Sequence, residues 1–228
     1  MDKLKELVRE LETASEKPEI EAKLQAIGKA LVTDYVIEVD GVTVRPLWVE
    51  AYYHNENVFD DPFVHKKDEQ KKSGVLYFHH KTDDKRNGVD ICLSLGEYYL
   101  SFLLKYTLVD GIVRSQSELS PLIREKYKKS GVVITEKKNP TDVISYAARI
   151  GLSSCREKDA EKKALKEEYK DCKLSVVRNF DKNFGCGFKF PKREALVREY
   201  LKRSVLSKTE KAEFCRNVLG YCPGEYKD

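Results

Sequence analysis

The sequence predicts a single α+β domain in which a run of β-strands is flanked by helices. Apolar residues near the start recur with helical spacing, whereas residues 35–109 contain short apolar runs rich in Val, Ile, Tyr and Phe, which are typical of strands. A chain of 228 residues with 41% hydrophobic and 35% charged residues can bury one sizeable core. We therefore expect one domain over residues 1–180 and a basic helical extension, residues 181–228, packed on it.

Two helices open the chain. Their apolar faces are formed by residues spaced three and four apart, first Leu4, Leu7, Val8 and Leu11, then Ile20, Leu24, Ile27 and Leu31. Pro18 stands where the first turn of the second helix is expected. Gly28, inside that helix, indicates that another part of the backbone approaches it closely.

Strands follow from residue 35. The runs Tyr35–Val39 and 42–44 are separated by Asp40-Gly41, a pair typical of a two-residue hairpin turn. Trp48-Val49 forms an apolar strand that is expected to end at Glu50. A polar loop then covers residues 54–73, and further strands are expected at 75–78, 89–95 and 99–109, the last ended by Asp110-Gly111.

The second half alternates helices and strands. Ser117 is expected to cap a helix to Lys128, and Asn139-Pro140 to open another to about Ala148, with Asn as N-cap and Pro in the first turn. The other expected elements are strands at 132–134 and 174–180, an exposed polar helix at 156–171, a loop at 181–190, a basic helix at 192–203 and a short helix after 207.

Composition narrows the class of protein. No apolar run approaches the roughly 18 residues that span a bilayer, and the mixed-charge N-terminus lacks the apolar segment of a secretory signal. We expect a cytoplasmic protein without a membrane partner. Six cysteines with no C-x-x-C pair favour free thiols over a metal site. The net charge of +4, from 42 basic and 38 acidic residues, is compatible with nucleic acid without demanding it.

The segment Val-Glu-Ala-Tyr-Tyr, residues 49–53, is the most informative for chemistry. An acidic residue at the end of an apolar strand does not suit an apolar core, and strand ends often hold catalytic groups. Aromatic neighbours give Glu50 a partly dry environment, which suits a general base. All four histidines of the chain fall close by, at positions 54, 65, 79 and 80. The alternative interpretation is a solvated strand end followed by a polar loop.

Seven separated blocks resemble, in order, the 3-methyladenine (alkyladenine) DNA glycosylases. The resemblance covers about residues 20–180, and each block is short. The blocks are 26–32 (family L-L-G-K-x-L-V), 48–52 (V-E-x-E-A-Y), Asp61 with His65 (D-x-x-x-H), 74–78 (G-x-x-Y-V-Y), 88–94 (G-x-x-x-C-L-N), 103–105 with 109–111 (L-L-R-A…P-x-x-G) and 149–152 (R-I-G-I).

The resemblance implies a fold and a reaction. The fold would be a mixed, mainly antiparallel curved sheet with surrounding helices, like that of the 3-methyladenine glycosylases. The reaction would be hydrolysis of the N-glycosidic bond of a damaged or modified base flipped out of DNA. Glu50 would deprotonate a water placed against C1′, and Lys105 stands where the family has an arginine that holds the water and a backbone phosphate. The resemblance implies no cofactor and no metal, and we expect a monomer.

The same resemblance outlines a base pocket, which departs from the family in several places. The pocket residues would be Tyr52, His65, Tyr77, His79 and Ser94. His79 replaces an aromatic residue of the family, and the smaller Ser94 replaces an asparagine at the pocket floor. Lysine at position 105 loses the two-pronged geometry of arginine.

Residues 80–87 form an insertion before Gly88. The family has an intercalating aromatic residue just before this glycine, whereas this chain has Asn87, preceded by Arg86. Opening a duplex without a wedge is harder, because unstacking costs a few kcal/mol. A single-stranded substrate is therefore an open alternative. Arg86 and the basic residues Lys192 and Arg193 are the expected contacts to the DNA backbone.

Two other functions fit the same sequence. One is an N-glycosidase for a small nucleoside or nucleotide, which the missing wedge favours. The other is a non-catalytic module that binds nucleic acid or protein, which Glu50 disfavours. Salt-dependent DNA binding would separate the first of these from the DNA-binding functions, because phosphate contacts impose a steep salt slope.

Overall fold

The computed structural model describes residues 2–56, 58–79, 88–138, 144–149, 152, 157–178, 197–198, 201–202, 204, 206–219 and 221–227. The helices with defined bounds are α1 (Asp2–Glu12), α2 (Lys17–Asp34), α3 (Gln116–Ser130), α4 (Ala160–Lys170) and α5 (Lys208–Leu219). The strands are β1 (Tyr35–Val39), β2 (Val42–Asn55), β3 (Phe59–Asp60), β4 (Ser73–Phe78), β5 (Val89–Leu93), β6 (Tyr99–Val109), β7 (Ile112–Ser115), β8 (Val133–Glu136), β9 (Ile144–Ala147) and β10 (Ser175–Arg178). Two short 3₁₀ helices lie at Asp68–Lys71 and Gly224–Tyr226.

These strands form one curled sheet with the order β4-β5-β6-β2-β1-β8. All strand pairs in the described part of the chain are antiparallel, so no parallel component of the expected mixed sheet occurs there. The long strand β2 is central: one edge pairs with β6, and the other pairs in turn with β1, β10 and β3. The fold is α+β, as predicted.

The two Asp-Gly pairs each close a hairpin. Asp40 and Asp110 have φ of 45° and 50°, and the glycines that follow both have φ of 76°, which is the left-handed backbone of a type I′ turn. The β1–β2 hairpin confirms the prediction from Asp40-Gly41. Asp110-Gly111 does more than end a strand, because the chain turns back as β7 and pairs with β6.

One face of the sheet is the main core, and α1 and α2 pack on it. Alternate residues of β2, namely Val49, Ala51 and Tyr53, join their β6 neighbours in this core. Gly28 of α2 lies against β10, and a Cβ at this position would come within 2.7 Å of Val176 Cγ2. The close neighbour of Gly28 is therefore a side chain of the sheet, and not another part of the backbone as predicted.

A second apolar cluster lies around Trp48 and includes residues near the C-terminus. Its buried members are Leu47, Trp48, Tyr106, Ala147, Val177, Val197, Leu201, Ala212, Cys215 and Tyr226. The described part of the 181–228 segment thus packs on the sheet residues of the preceding segment. Most of the predicted loop and basic helix at 181–203 lies outside the described residues.

Several sequence predictions differ from the structure. The helix expected from Asn139 to Ala148 is wrong over 144–147, where β9 pairs with β10, and 139–143 lie outside the described residues. The strand expected to end at Glu50 continues to Asn55. Helix α3 begins after Ser115, whose side chain forms a capping box with Glu118, and not after Ser117.

Other predicted elements are confirmed, and wherever an end was predicted it lies within four residues of the observed one. They are the two N-terminal helices, β4, β5, β6, the exposed helix α4, β8, β10 and the helix after residue 207. Among the described residues, no helix is both long enough and apolar enough to cross a membrane.

Candidate functional site

Strand β2 presents polar and aromatic side chains on the face opposite the main core. Successive side chains of a strand point to opposite faces, so Trp48, Glu50 and Tyr52 lie together while Val49 and Ala51 face the helices. Glu50 is fully buried. A buried carboxylate needs compensating charge and hydrogen bonds, and Lys105 of β6 and Tyr52 of β2 itself supply them.

Two bulges lie beside Glu50 in the β2–β6 pair. The register changes between Pro46 and Trp48 and again between Trp48 and Val49, so that Leu47 is the extra residue of β2 and Lys105 the extra residue of β6. Bulges re-aim side chains and are frequent next to active sites. Here the ammonium Nζ of Lys105 lies 3.4 Å from Glu50 Oε2. The Lys105 side chain is 15% exposed, so the pair reaches solvent on the lysine side.

Tyr52 also contacts this carboxylate. Its Oη lies 3.5 Å from Glu50 Oε2. Burial first, and the charge of Glu50 second, raise the pKa of Tyr52 well above its usual value. The phenol therefore stays neutral over the physiological range and serves as a hydrogen-bond donor.

A buried ion pair, formed by Arg149 and Asp61, packs against the ring of Tyr52. Arg149 and Asp61 are both fully buried. The guanidinium donates hydrogen bonds to both carboxylate oxygens, at 2.5 and 3.1 Å. Arg149 Nη1 also donates to Ala51 O at 3.1 Å, and its guanidinium carbon lies 4.7 Å from the centre of the Tyr52 ring. Burial acts to lower the pKa of Arg149, but the charge and hydrogen bonds of Asp61 prevail and raise it. The pair is thus charged, and it anchors β2 at the site.

A second carboxylate, Asp90 of β5, lies on the same face and is almost fully buried. Its Oδ1 lies 2.7 Å from His79 Nε2, and its Oδ2 accepts a hydrogen bond from Ser101 Oγ at 2.8 Å. Ser101 in turn accepts from Gln70 Nε2 at 2.9 Å. This chain of four side chains holds the imidazole of His79 in one orientation.

Aromatic rings form a wall beside Asp90. The ring centres of His65, Tyr77 and His79 lie 4.8 to 5.8 Å from one another. His65 Nδ1 and Tyr77 Oη are 3.0 Å apart, and His65 is exposed, so this wall reaches the surface. Burial, with a smaller contribution from Asp90, raises the pKa of Tyr77 to about 12.

Leu103 of β6 separates the two carboxylates. It is directly opposite Glu50 on one side and Asp90 on the other, so the three residues form a row across β2, β6 and β5. Two strand spacings place the Cα atoms of Glu50 and Asp90 about 10 Å apart. The site thus has an acidic group at each end of an apolar floor.

The structure brings most of the predicted site residues into two adjoining groups. Glu50, Lys105 and Tyr52 form the first, and His65, Tyr77 and His79 form the second. Ser94 serves another purpose in the described structure: its Oγ donates to Tyr98 O at 2.6 Å and lies 3.1 Å from Gly96 O, within the turn after β5. The predicted backbone contacts Arg86, Lys192 and Arg193 lie outside the described residues, as does His80.

Four polar residues of the site were not predicted from the sequence. They are Asp90, Ser101, Gln70 and Arg149, of which Asp90 and Arg149 lie in blocks of the family resemblance but were given no role. Asp90 does carry a signal, because it is a charged residue inside the apolar run Val89–Leu93 and thus points to a compensated buried charge. Ser101 and Gln70 carry none, since only the folded sheet brings them to Asp90.

Metal ligation finds no support in the described part of the chain, where no three His, Cys, Asp or Glu side chains are grouped to hold an ion. A scan against protein-family models finds no match to this sequence, and a search of curated proteins also finds no match.

Proposed function

We propose that this protein is a DNA N-glycosylase, in which Glu50 activates the water that displaces a damaged or modified base. The observation that carries the proposal is the placement of a fully buried Glu50 between Lys105 and Tyr52, at the centre of a polar sheet face. A carboxylate held in this way is the group that hydrolysis of a glycosidic bond requires, whether as a base or as a counter-charge.

Glu50 has two tasks in the proposed reaction. Its negative charge faces the sugar as the C1′–N bond breaks and the sugar becomes oxocarbenium-like, and the carboxylate then takes a proton from the water whose oxygen bonds to C1′. A positioned general base contributes roughly 10²–10⁴-fold to the rate. Lys105, on its bulge beside Glu50, compensates the buried charge and reaches the solvent side, where a phosphate oxygen of the substrate would lie.

The aromatic groups suit the recognition of a flat base. Tyr52 lies beside Glu50, and the wall of His65, Tyr77 and His79 stands at the other end of the Leu103 floor. Enzymes that act on a flipped nucleotide clasp its base between aromatic or apolar side chains. The spacing of about 10 Å between the two ends is sufficient for one base with its sugar.

A second candidate is an N-glycosidase for a free nucleoside or nucleotide. The observation that favours it is the sequence before Gly88, where Asn87 replaces the intercalating aromatic residue of the glycosylases that the chain resembles. Such an enzyme needs no wedge, because its substrate has no stack to open.

Base release measured by mass spectrometry tests both candidates. The purified protein is incubated with alkylated, deaminated and natively modified DNA, single- and double-stranded, and with the matching free nucleosides. We expect free base from the wild type and none from Glu50→Gln, which keeps the shape of the side chain but cannot take a proton. Glu38→Gln is the matched control, since Glu38 is exposed on the neighbouring strand β1 and should keep full activity.

The outcomes separate the candidates. Release from DNA alone supports the glycosylase, and release from nucleosides alone supports the second candidate. Equal turnover by Glu50→Gln and the wild type would remove Glu50 from the mechanism. A folded wild-type protein that releases no base from any of these substrates would refute both candidates.

A further inference from the structure

We infer that Gln70 holds the loop that carries His65 against the sheet, and that it thereby sets how selectively the site retains a base. The loop, residues 61–72, supplies His65 to the aromatic wall, whereas Tyr77 lies in β4 and His79 directly follows that strand. The inference rests on the proposed N-glycosidase function and deepens it, because it assigns a positioning residue that lies outside every block of the family resemblance.

Gln70 links the loop to the sheet through both ends of its side-chain amide, and it is 1% exposed. Its Oε1 accepts a hydrogen bond from the backbone N–H of Lys67 at 3.1 Å, and its Nε2 donates to Ser101 Oγ of β6 at 2.9 Å. The 3₁₀ helix Asp68–Lys71, in which Gln70 lies, packs on β4, β5 and β6. A buried amide is costly to leave unpaired, so these bonds hold the loop and the sheet in one relative position.

The link continues from β6 to the aromatic wall. Ser101 Oγ donates to Asp90 Oδ2 at 2.8 Å, and Asp90 Oδ1 lies 2.7 Å from His79 Nε2. The ring centres of His79 and His65 are 4.8 Å apart. Gln70 therefore holds the loop close to His65 at one end, and at the other end it reaches the ring that His65 contacts. This closed circuit of contacts fixes the position of His65 relative to His79.

The other end of the loop has an anchor of its own. Asp61 is fully buried, pairs with Arg149 and accepts the backbone N–H of Phe63 at 3.1 Å. Between the two anchors the chain passes through Lys66, whose φ of 53° lies in the left-handed region that residues other than glycine rarely adopt. Such a backbone conformation persists only where its surroundings over-determine it. The anchors at Asp61 and Gln70 provide that constraint.

A wall held in this way should act on binding and not on bond cleavage. Glu50 is held within the sheet by Lys105 and Tyr52, whereas His65 depends on the loop. A wall that is fixed before the base enters adds no ordering cost to binding. If the link through Gln70 is lost, that cost returns for a base that must be held against the wall. An unmodified strand that binds through its phosphates does not bear it.

Two variants break the same link from opposite sides. Gln70→Met keeps about the size of the side chain and loses both hydrogen bonds, and Ser101→Ala removes the partner on β6. Hydrogen exchange measured by mass spectrometry on the free protein should become faster over residues 62–72 in both variants and stay unchanged in α2 and β2. Gln25→Met is the matched control, because Gln25 also donates to a partner distant in sequence, Lys173 O at 3.0 Å, but from α2 on the helix side of the sheet.

A second measurement separates binding from chemistry. Single-turnover base release is followed at increasing protein concentration, with single-stranded oligonucleotides of one sequence that carry hypoxanthine, N7-methylguanine or 5-methylcytosine at one position. For the base that the wild type releases, Gln70→Met should raise the half-saturating protein concentration roughly 2–10-fold, the factor that corresponds to one hydrogen bond, and should keep the maximal rate within about twofold. Binding of the unmodified strand should not change.

A double variant shows whether Gln70 and Ser101 act as one link. Gln70→Met combined with Ser101→Ala should raise the half-saturating concentration by clearly less than the product of the two single effects, because the second change removes a contact that is already lost. Two independent structural defects would instead multiply. If Gln70→Met does not fold, Ser101→Ala gives the same comparison of loop exchange, half-saturation and maximal rate.

The outcomes separate the inference from the proposed function. Faster exchange confined to the loop, with weaker half-saturation at an unchanged maximal rate, supports the inference. Unchanged loop exchange, a fall in the maximal rate alone, or multiplied effects in the double variant overturn it, and base release by the wild type then leaves the proposed function standing. A wild type that releases no base from any oligonucleotide overturns the proposed function and the selective role of Gln70, while the exchange measurement still decides whether Gln70 holds the loop.

Discussion

Replacing Asp61 by asparagine should be among the most damaging single changes in this protein. The substitution leaves Arg149 buried with its charge uncompensated, since both side chains have no solvent exposure and the carboxylate meets the guanidinium with both oxygens. Removing one partner of a buried ion pair costs about 3–5 kcal/mol. For a chain of this size each kcal/mol lowers Tm by about 2–4 °C, so Asp61→Asn should lower Tm by about 6–20 °C.

The chain carries its own reporter for this measurement. Trp48 is the only tryptophan, it is fully buried, and its indole donates to Ser175 Oγ, so its fluorescence follows the loss of the sheet in urea. The control is Glu125→Gln, which breaks an exposed ion pair with Lys128 and should cost less than about 1 kcal/mol.

A double variant completes the argument about Asp61. Asp61→Leu combined with Arg149→Met removes both charges and should be clearly more stable than Asp61→Asn alone, because no buried charge is left without a partner. A cost below about 1 kcal/mol for Asp61→Asn would refute the reasoning, since it would mean that Arg149 reaches water or another anion when Asp61 is neutral.

Two further predictions concern charge and pH. Lys105→Ala should weaken DNA binding most at low salt, whereas Lys105→Arg should retain the salt dependence; titrations at several ionic strengths measure this, and a loss independent of salt would contradict a phosphate contact. Tyr77, whose pKa is raised from 10 to about 12 in the fold, contributes stability that is present below pH 10 and is lost as the pH rises through 12. Urea unfolding between pH 9 and 12 should therefore show a shallower loss for Tyr77→Phe, and identical slopes for the two proteins would contradict the assignment.

Local sequence signals predicted most of the fold. Helical spacing located α1 and α2, and Asp40-Gly41 marked a hairpin turn. Asp110-Gly111 marked the end of β6, but the hairpin that it closes with β7 was not predicted. The failure at 144–147 has a tertiary cause: Asn139-Pro140 is a valid local signal for a helix start, but Ile144 and Tyr146 are in β9, which pairs with a strand some thirty residues later. No local pattern encodes that partner.

The site residues were likewise predicted in part from the sequence and missed in part. The motif resemblance named Glu50, Lys105 and Tyr52, and the fold places them together. The group around Asp90 escaped prediction because its members are distant in sequence: Ser101 is 11 residues from Asp90, and Gln70 is 31 residues from Ser101. The sequence of β2 also shows no alternation of apolar and polar residues that would separate its two faces. Nearly every residue from Pro46 to His54 is buried, on one face by helices and on the other by polar partners.

The paired bulges have a consequence for how this sheet could change during evolution. Leu47 is the extra residue of β2 and Lys105 that of β6, and the two irregularities cancel, since Pro46–Thr107 and Val49–Leu104 belong to one common register. Deleting either residue alone would shift the register of the β2–β6 pair by one residue on one side of the bulges. Core side chains in that part of the pair would then point to the opposite face. Deleting both would leave every other cross-strand partner in place. An ancestral sheet could therefore gain or lose Lys105 through two matched single-residue insertions or deletions, at positions 47 and 105, and keep its fold.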